Sequence, residues 1–165
     1  MVAWINAPHL PYAPALVQGG IALERCTVVR PATREDALWA AEQALRSGAC
    51  GAVLLWIEPS LAGERRSRVN EYAWLRRLQL AAQAGRSMAV LFRSTAAEAS
   101  STPAHLRVVL ARAAGSLTLR IPKRRGPPLA SPIVLERESP RLAPAPHAPQ
   151  LLPVPASRAL PRIAA

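Results

Sequence analysis

The sequence predicts an α/β fold, a mostly parallel sheet flanked by helices, followed by a C-terminal antiparallel hairpin and a disordered Pro-rich tail. Three observations carry this reading. Short apolar, β-branched runs alternate with segments of helical period between Val2 and Phe92, and parallel strands need such crossovers. From Leu106 to Ile121 the period changes to strict alternation, the mark of antiparallel strands with one face packed. Only six of the 17 prolines lie in residues 1–121, and eleven follow Ile121. The chain therefore divides into a domain over 1–121 and a basic, Pro-rich tail over 122–165. That tail has too little apolar periodicity to offset its ordering entropy.

The elements follow in order. Val2-Ala3-Trp4-Ile5 reads as a strand ended by Asn6-Ala7-Pro8, and residues 13–19 as a short helix closed by Gly19-Gly20. Cys26 to Arg30 is a second strand, stopped by Pro31. Thr33 is an N-cap, Leu38, Ala41 and Leu45 recur at helical spacing, and Gly48 stands where a C-cap glycine belongs. The run 51–57 follows at once and reads as a strand buried on both faces. A polar, basic stretch from Gly63 to Arg68 leads into a helix through Val69, Tyr72, Leu75, Leu78 and Ala82, closing at Gly85. Met88 to Phe92 is another buried parallel strand, and 94–103 a loop. In the hairpin, Leu106, Val108, Leu110, Leu117, Leu119 and Ile121 form the apolar face, with Arg107, Arg112 and Arg120 off it.

Composition narrows the setting. An apolar fraction of 50% is ample for one core, and the net charge is +11 with Lys123 as the only lysine. Arginine pairs bidentately with phosphate and carboxylate, so an acidic partner or weak, indirect nucleic-acid contact is compatible with this charge. No apolar run is long enough to span a membrane, and Met1-Val2-Ala3-Trp4 lacks the pattern of a secretory signal. Cys26 and Cys50 have no metal-like spacing. A cytoplasmic protein with reduced thiols and no membrane contact is expected.

These elements, in this order, resemble the core of bacterial RecA recombinase, and more closely the ImuA family of RecA-like proteins associated with translesion DNA synthesis. The phrases that carry the resemblance are Pro8-His9-Leu10-Pro11-Tyr12-Ala13-Pro14-Ala15-Leu16, Glu42-Gln43-Ala44-Leu45-Arg46-Ser47-Gly48, Leu75-Arg76-Arg77-Leu78-Gln79-Leu80-Ala81-Ala82 and Lys123-Arg124-Arg125-Gly126. Together they span roughly residues 2 to 127. SulA, the cell-division inhibitor, is a smaller RecA-like relative. The resemblance implies a degenerate RecA-like domain. RecA's phosphate-binding loop precedes the strand that here begins at Val2, and members of the ImuA family carry additional residues there. If such residues complete the sheet, a domain without them exposes apolar surface.

Departures from RecA bear on the chemistry. No G-x-x-x-x-G-K-[ST] motif occurs. By the resemblance, Pro8 stands where RecA has its catalytic glutamate and Trp56 where it has a magnesium-linked aspartate. Phosphoryl transfer depends on positioning and metal electrostatics, so no catalysis, cofactor or metal is expected. The resemblance implies a non-catalytic accessory of SOS-induced translesion synthesis. It would bind an ImuB-like polymerase homologue, with RecA and an error-prone replicative polymerase as further partners. The alternatives are a SulA-like division inhibitor, an arginine-mediated DNA-binding protein and a residual RecA-like ATPase.

Two clusters are candidate contacts for an acidic partner or phosphate: Arg65, Arg66 and Arg68, and Lys123, Arg124 and Arg125. Glu24, Glu58, His9, His105, His147, Ser47, Ser94 and Ser100 have no partner at a catalytic or metal-ligand spacing. Gln150-Leu151-Leu152-Pro153-Val154 has the leading glutamine of a sliding-clamp pentapeptide but lacks its terminal aromatic.

Overall fold

The computed structural model describes residues 1–57, 65–113, 115–127 and 129–136, with side chains excepted at 65–70 and at Ala113. Glu58, His147, the Gln150–Val154 segment and the tail beyond Glu136 lie outside the described residues. The expected α/β architecture is present: a four-stranded, wholly parallel sheet and a separate antiparallel one.

The parallel sheet contains β1 (Val2–Ile5), β2 (Cys26–Val29), β3 (Ala52–Ile57) and β4 (Met88–Arg93), in the spatial order β2-β1-β3-β4. Between β1 and β2 lies the short helix α1 (Ala13–Gln18), which buries no residue. Helix α2 (Arg34–Arg46) crosses from β2 to β3, and α3 (Arg65–Gly85) joins β3 to β4. Both crossovers run in the same direction, so the right-handed rule puts both helices on one face. The core forms there. Ala3, Ile5, Val53, Leu55 and Ile57 from the strands meet Ala37, Leu38, Ala41 and Leu45 of α2 and Leu78 and Ala81 of α3.

Local signals explain α2. Thr33 Oγ1 accepts a hydrogen bond from the Asp36 amide at 3.1 Å, the N-cap expected from sequence. At the other end Gly48 adopts a φ of 66°, the left-handed conformation that ends helices at little cost to glycine. The buried Glu42 ties α2 to α3. Its carboxylate lies 3.3 Å from Arg46 and 2.5 Å from Arg77, and the Arg77 guanidinium lies 4.1 Å from the centre of the Trp74 ring.

Gly85 does more than close α3. A Cβ there would stand 1.8 Å from the Leu45 carbonyl oxygen, so only glycine lets the ends of α2 and α3 approach this closely. Just beyond, Ser87 Oγ donates to the Cys50 carbonyl at 2.5 Å, which fixes the entry into β4.

The expectation that β3 is buried on both faces is corrected. Its burial alternates, with Val53, Leu55 and Ile57 in the core and Ala52, Leu54 and Trp56 only half-buried opposite. Likewise β4 is an edge strand among the described residues, not a buried one, because only β3 pairs with it there and Met88 is 60% exposed. A continuous apolar run is compatible with one covered face or two. The sequence period cannot distinguish them.

After β4, a 3-10 turn at Thr95–Ala99 occupies part of the expected loop. The hairpin is present as β5 (Arg107–Ala113) and β6 (Ser116–Lys123), but a third strand, β7 (Ile133–Glu136), pairs antiparallel with β6. Pro122, Lys123 and Ile133–Glu136, expected to be part of a disordered tail, therefore belong to this sheet. Arg112 is also reassigned. It pairs with Leu117 and shares a face with Leu110, whereas Arg120 pairs with Val109 on the other face. Among the described residues, no helix is long and apolar enough to cross a membrane.

Candidate functional site: the C-terminal edge of the parallel sheet

In an open α/β sheet, ligands and partners gather where successive crossovers diverge, beyond the carboxyl ends of the strands. Here that point lies between β1 and β3, since the chain leaves β1 toward β2 and returns past it to β3. Asn6 occupies it. Its amide donates to the Val29 carbonyl at 3.0 Å and its Nδ2 to the Trp56 carbonyl at 3.0 Å. One residue thus joins the ends of β2, β1 and β3. Its φ of 56° is left-handed, a conformation asparagine tolerates better than most residues.

Beside Asn6 lies a shallow pocket of about 180 Å³, lined by Asn6, Trp56 and Ile57 from the strand ends and by residues 31–34, Ala37 and Leu38 from the start of α2. The first turn of α2 is already satisfied internally. Thr33 caps Asp36, its hydroxyl donates to the Asp36 carboxylate at 2.8 Å, and Glu35 and Asp36 place negative charge against the helix dipole. Arg34 lies 3.5 Å from Glu71, which also binds Arg93 at 2.6 Å. The pocket is therefore walled by a tryptophan and by Arg34, which Glu71 holds from outside the lining, with no carboxylate among its described lining residues.

The residues singled out in the sequence fall in several places. Trp56 lines the pocket, and its ring stacks between two others. Trp4 lies 5.8 Å away at 16° and Phe92 4.3 Å away at 11°, measured between ring centres. Pro8 and His9 are exposed two and three residues past Asn6. Glu24 is exposed in a 3-10 turn before β2. His105 lies 3.5 Å from Gln79 Nε2, which donates to the Pro103 carbonyl. Among the described residues no group of histidine, cysteine, aspartate or glutamate could hold a metal ion.

The two basic clusters are not part of this pocket. Arg65 begins α3, with Arg66 and Arg68 in its opening turn, and their side chains lie outside the described ones. At the end of β6, Lys123 Nζ donates to the Thr102 carbonyl at 2.7 Å and Arg124 Nε to the Pro127 carbonyl at 2.7 Å. Both thus hold loop backbone, while Arg125 stays exposed. Sequence reasoning missed Asn6, the Glu71 group and the aromatic row. Equal parity of Trp4 and Trp56 along paired strands was the available signal for the last.

No protein-family model matches the chain. Among curated proteins, the cell division inhibitor SulA of Edwardsiella piscicida is 40% identical over 88 residues, which cover 53% of this chain and 46% of that protein. Over this stretch the chain is similar to SulA. The chain spans about half the length of that curated relative. Among solved structures, the crystal structure of SulA from Pseudomonas aeruginosa matches 56% of this chain and 69% of its own, with 24% sequence identity and a TM-score of 0.41.

Proposed function

We propose that this chain is a non-catalytic, RecA-like binding protein of the SOS response, an accessory of error-prone translesion synthesis of the ImuA type that docks an ImuB-like polymerase homologue. The observation that carries the non-catalytic reading is Trp56. At the strand end where RecA-type enzymes present an acid to magnesium, this residue forms the pocket wall and the centre of a ring stack. An indole can neither ligate a metal nor take a proton from water, so the edge suits apolar contact. The ImuA-type assignment rests on the resemblance of the phrases from Pro8 to Gly126. RecA and an error-prone replicative polymerase are further partners in this reading.

A second reading has its own support. The similarity to the cell division inhibitor SulA favours a division inhibitor, and in this reading the target is the tubulin-like FtsZ. Both readings are pure binding functions and share the same scaffold. Co-precipitation separates them, with the purified full-length chain offered an ImuB-type protein, RecA and FtsZ in separate reactions. Retention of the ImuB-type protein without FtsZ is expected. Recovery of FtsZ and no polymerase homologue would transfer the assignment to division inhibition. Melting with and without magnesium and ATP tests the non-catalytic part, for which no nucleotide-dependent shift is expected. A clear upward shift would overturn it.

A further inference from the structure

The antiparallel sheet β5-β6-β7 is tied to its own chain by its polar side. The strand register places Arg107, Arg120 and Lys123 on that side, together with Ser116, Thr118 and Glu136. Arg107 donates to the Glu98 and Ser100 carbonyls, both at 2.6 Å. Arg120 pairs with the Glu98 carboxylate, and Lys123 donates to the Thr102 carbonyl at 2.7 Å. Residues 98–102 are thereby strapped to the polar side. The opposite side is apolar. Leu110, Leu119 and Ile133 form one cross-strand row and Leu117 and Leu135 the next, with Val108 at the same parity along β5. Leu110, Ile133 and Leu135 are 51%, 42% and 48% exposed among the described residues. A half-buried antiparallel sheet ordinarily does the reverse, turning its polar side to water and its apolar side to a second layer.

We propose that the leucine side docks one amphipathic α-helix of a partner protein, whose apolar stripe is flanked by aspartate or glutamate. The dimensions agree. Three strands spaced about 4.8 Å apart make a face roughly 10 to 15 Å wide, and a helix with its side chains is about 10 Å across. The charge agrees as well. Arg112 stands on this side at the turn end of β5, and Lys123, Arg124 and Arg125 lie at and beyond the far end of β6. Glu136, the one acidic residue of these three strands, registers with Ser116 on the polar side. A helix that brings carboxylates to both ends of the apolar stripe therefore meets opposite charge, which fixes its orientation.

The same features disfavour other occupants. A second copy would set its own Arg112 and 123–125 cluster against identical charges, in a chain of net charge +11. Nucleic acid would find no aromatic ring on these strands to stack against. Naming this surface rests on the reading of the chain as a binding protein, but not on which partner it has.

Fluorescence anisotropy on the full chain tests this with two synthetic helical peptides. Both carry leucines along one face, flanked by glutamates in one peptide and by lysines in the other. Saturable binding of the glutamate peptide is expected, with the lysine peptide about tenfold weaker. Leu110→Gln combined with Ile133→Gln, both at exposed positions, should weaken the glutamate peptide about tenfold. Arg112→Glu should weaken the glutamate peptide and strengthen the lysine peptide, each about fivefold. Loss of folding cannot produce that exchange. No saturable binding, or binding that these substitutions leave unchanged, would overturn the proposal. Undiminished retention of an ImuB-type protein or FtsZ by the Leu110→Gln, Ile133→Gln chain would also overturn it, while the binding reading stood. In a second experiment, Leu110→p-benzoylphenylalanine is photoactivated with the glutamate peptide present, and crosslinks to the peptide are expected. Crosslinks to a second copy, or to the same chain in a yield the peptide does not reduce, would identify another occupant and sink the idea.

Discussion

The two faces of the parallel sheet are made by the same strands, yet they differ in kind. On the helix side Ile5, Val53 and Leu55 are sealed beneath α2 and α3, at 0–1% exposure. One residue away along each strand, Trp4, Leu54 and Trp56 are half-buried on a face with no comparable helix. The difference comes from topology and not from composition, since both faces are apolar. Two crossovers in one direction stack two long helices on one side, and the single crossover in the other direction contains, as helices, the six-residue α1 and a 3-10 turn, neither of which buries a residue. The helix side therefore supplies stability, and the other side surface area for contact.

Adjacent substitutions in β3 test this contrast most severely. Leu55→Ala is expected to destabilise the protein by about 3 kcal/mol, through lost transfer energy and a cavity that the packed helices cannot fill. Leu54→Ala, with the same chemistry one residue away, should cost about 1 kcal/mol because that side chain is already partly hydrated. Urea unfolding of both variants measures the difference. Equal costs would mean that the opposite face is as tightly sealed as the core, and the contrast would fail.

Gly85 sharpens the account of the helix side. A methyl group there would overlap the Leu45 carbonyl oxygen, and that atom is backbone and cannot rotate away. The ends of α2 and α3 would have to separate, disturbing the contact of Leu78 and Ala81 with the sheet. Gly85→Ala should cost about 2 kcal/mol, although alanine favours a helix more than glycine does. Gly115, at the tip of the β5–β6 hairpin with nothing near its Cβ position, is a control. Its φ of 75° gives Gly115→Ala only the local left-handed penalty, about 1 kcal/mol. Thermal melts that rank the two in reverse would show that the helix ends are not in close contact.

How much of this was legible beforehand follows from the range of each signal. The cap at Thr33, the buried positions Leu38, Ala41 and Leu45, and the left-handed Gly48 are local, so α2 could be read residue by residue. The hairpin of β5 and β6 was legible by its alternation. β7 was not: Ile133–Glu136 is a four-residue run just after Pro132, and it becomes a strand only by pairing with β6. At the candidate site, Trp56 could be singled out from the order of elements alone. Asn6 and Glu71 could not, because their partners lie 50 and 22 residues away in sequence. Which face of β3 is covered depends on crossover direction, and an apolar run carries no trace of it.

The smallest effect concerns the residue that holds the strand ends together beside both faces. Asn6 combines a left-handed backbone with a side-chain bond to the Trp56 carbonyl, and two substitutions separate these roles. Asn6→Gly keeps the backbone relaxed and loses only the bond to a partly buried carbonyl, for a cost of about 1 kcal/mol. Asn6→Ala loses the same bond and keeps a Cβ in the left-handed region without the side-chain amide that offsets it, raising the cost to about 1.5 kcal/mol. The order alanine worse than glycine is the reverse of that expected in ordinary extended backbone, where glycine is the more costly of the two. Chemical denaturation can resolve that ordering. If glycine proved the worse substitution, Asn6 would be acting through its hydrogen bond and local chain stiffness, and the turn itself would not be the strained element joining β1 to β3.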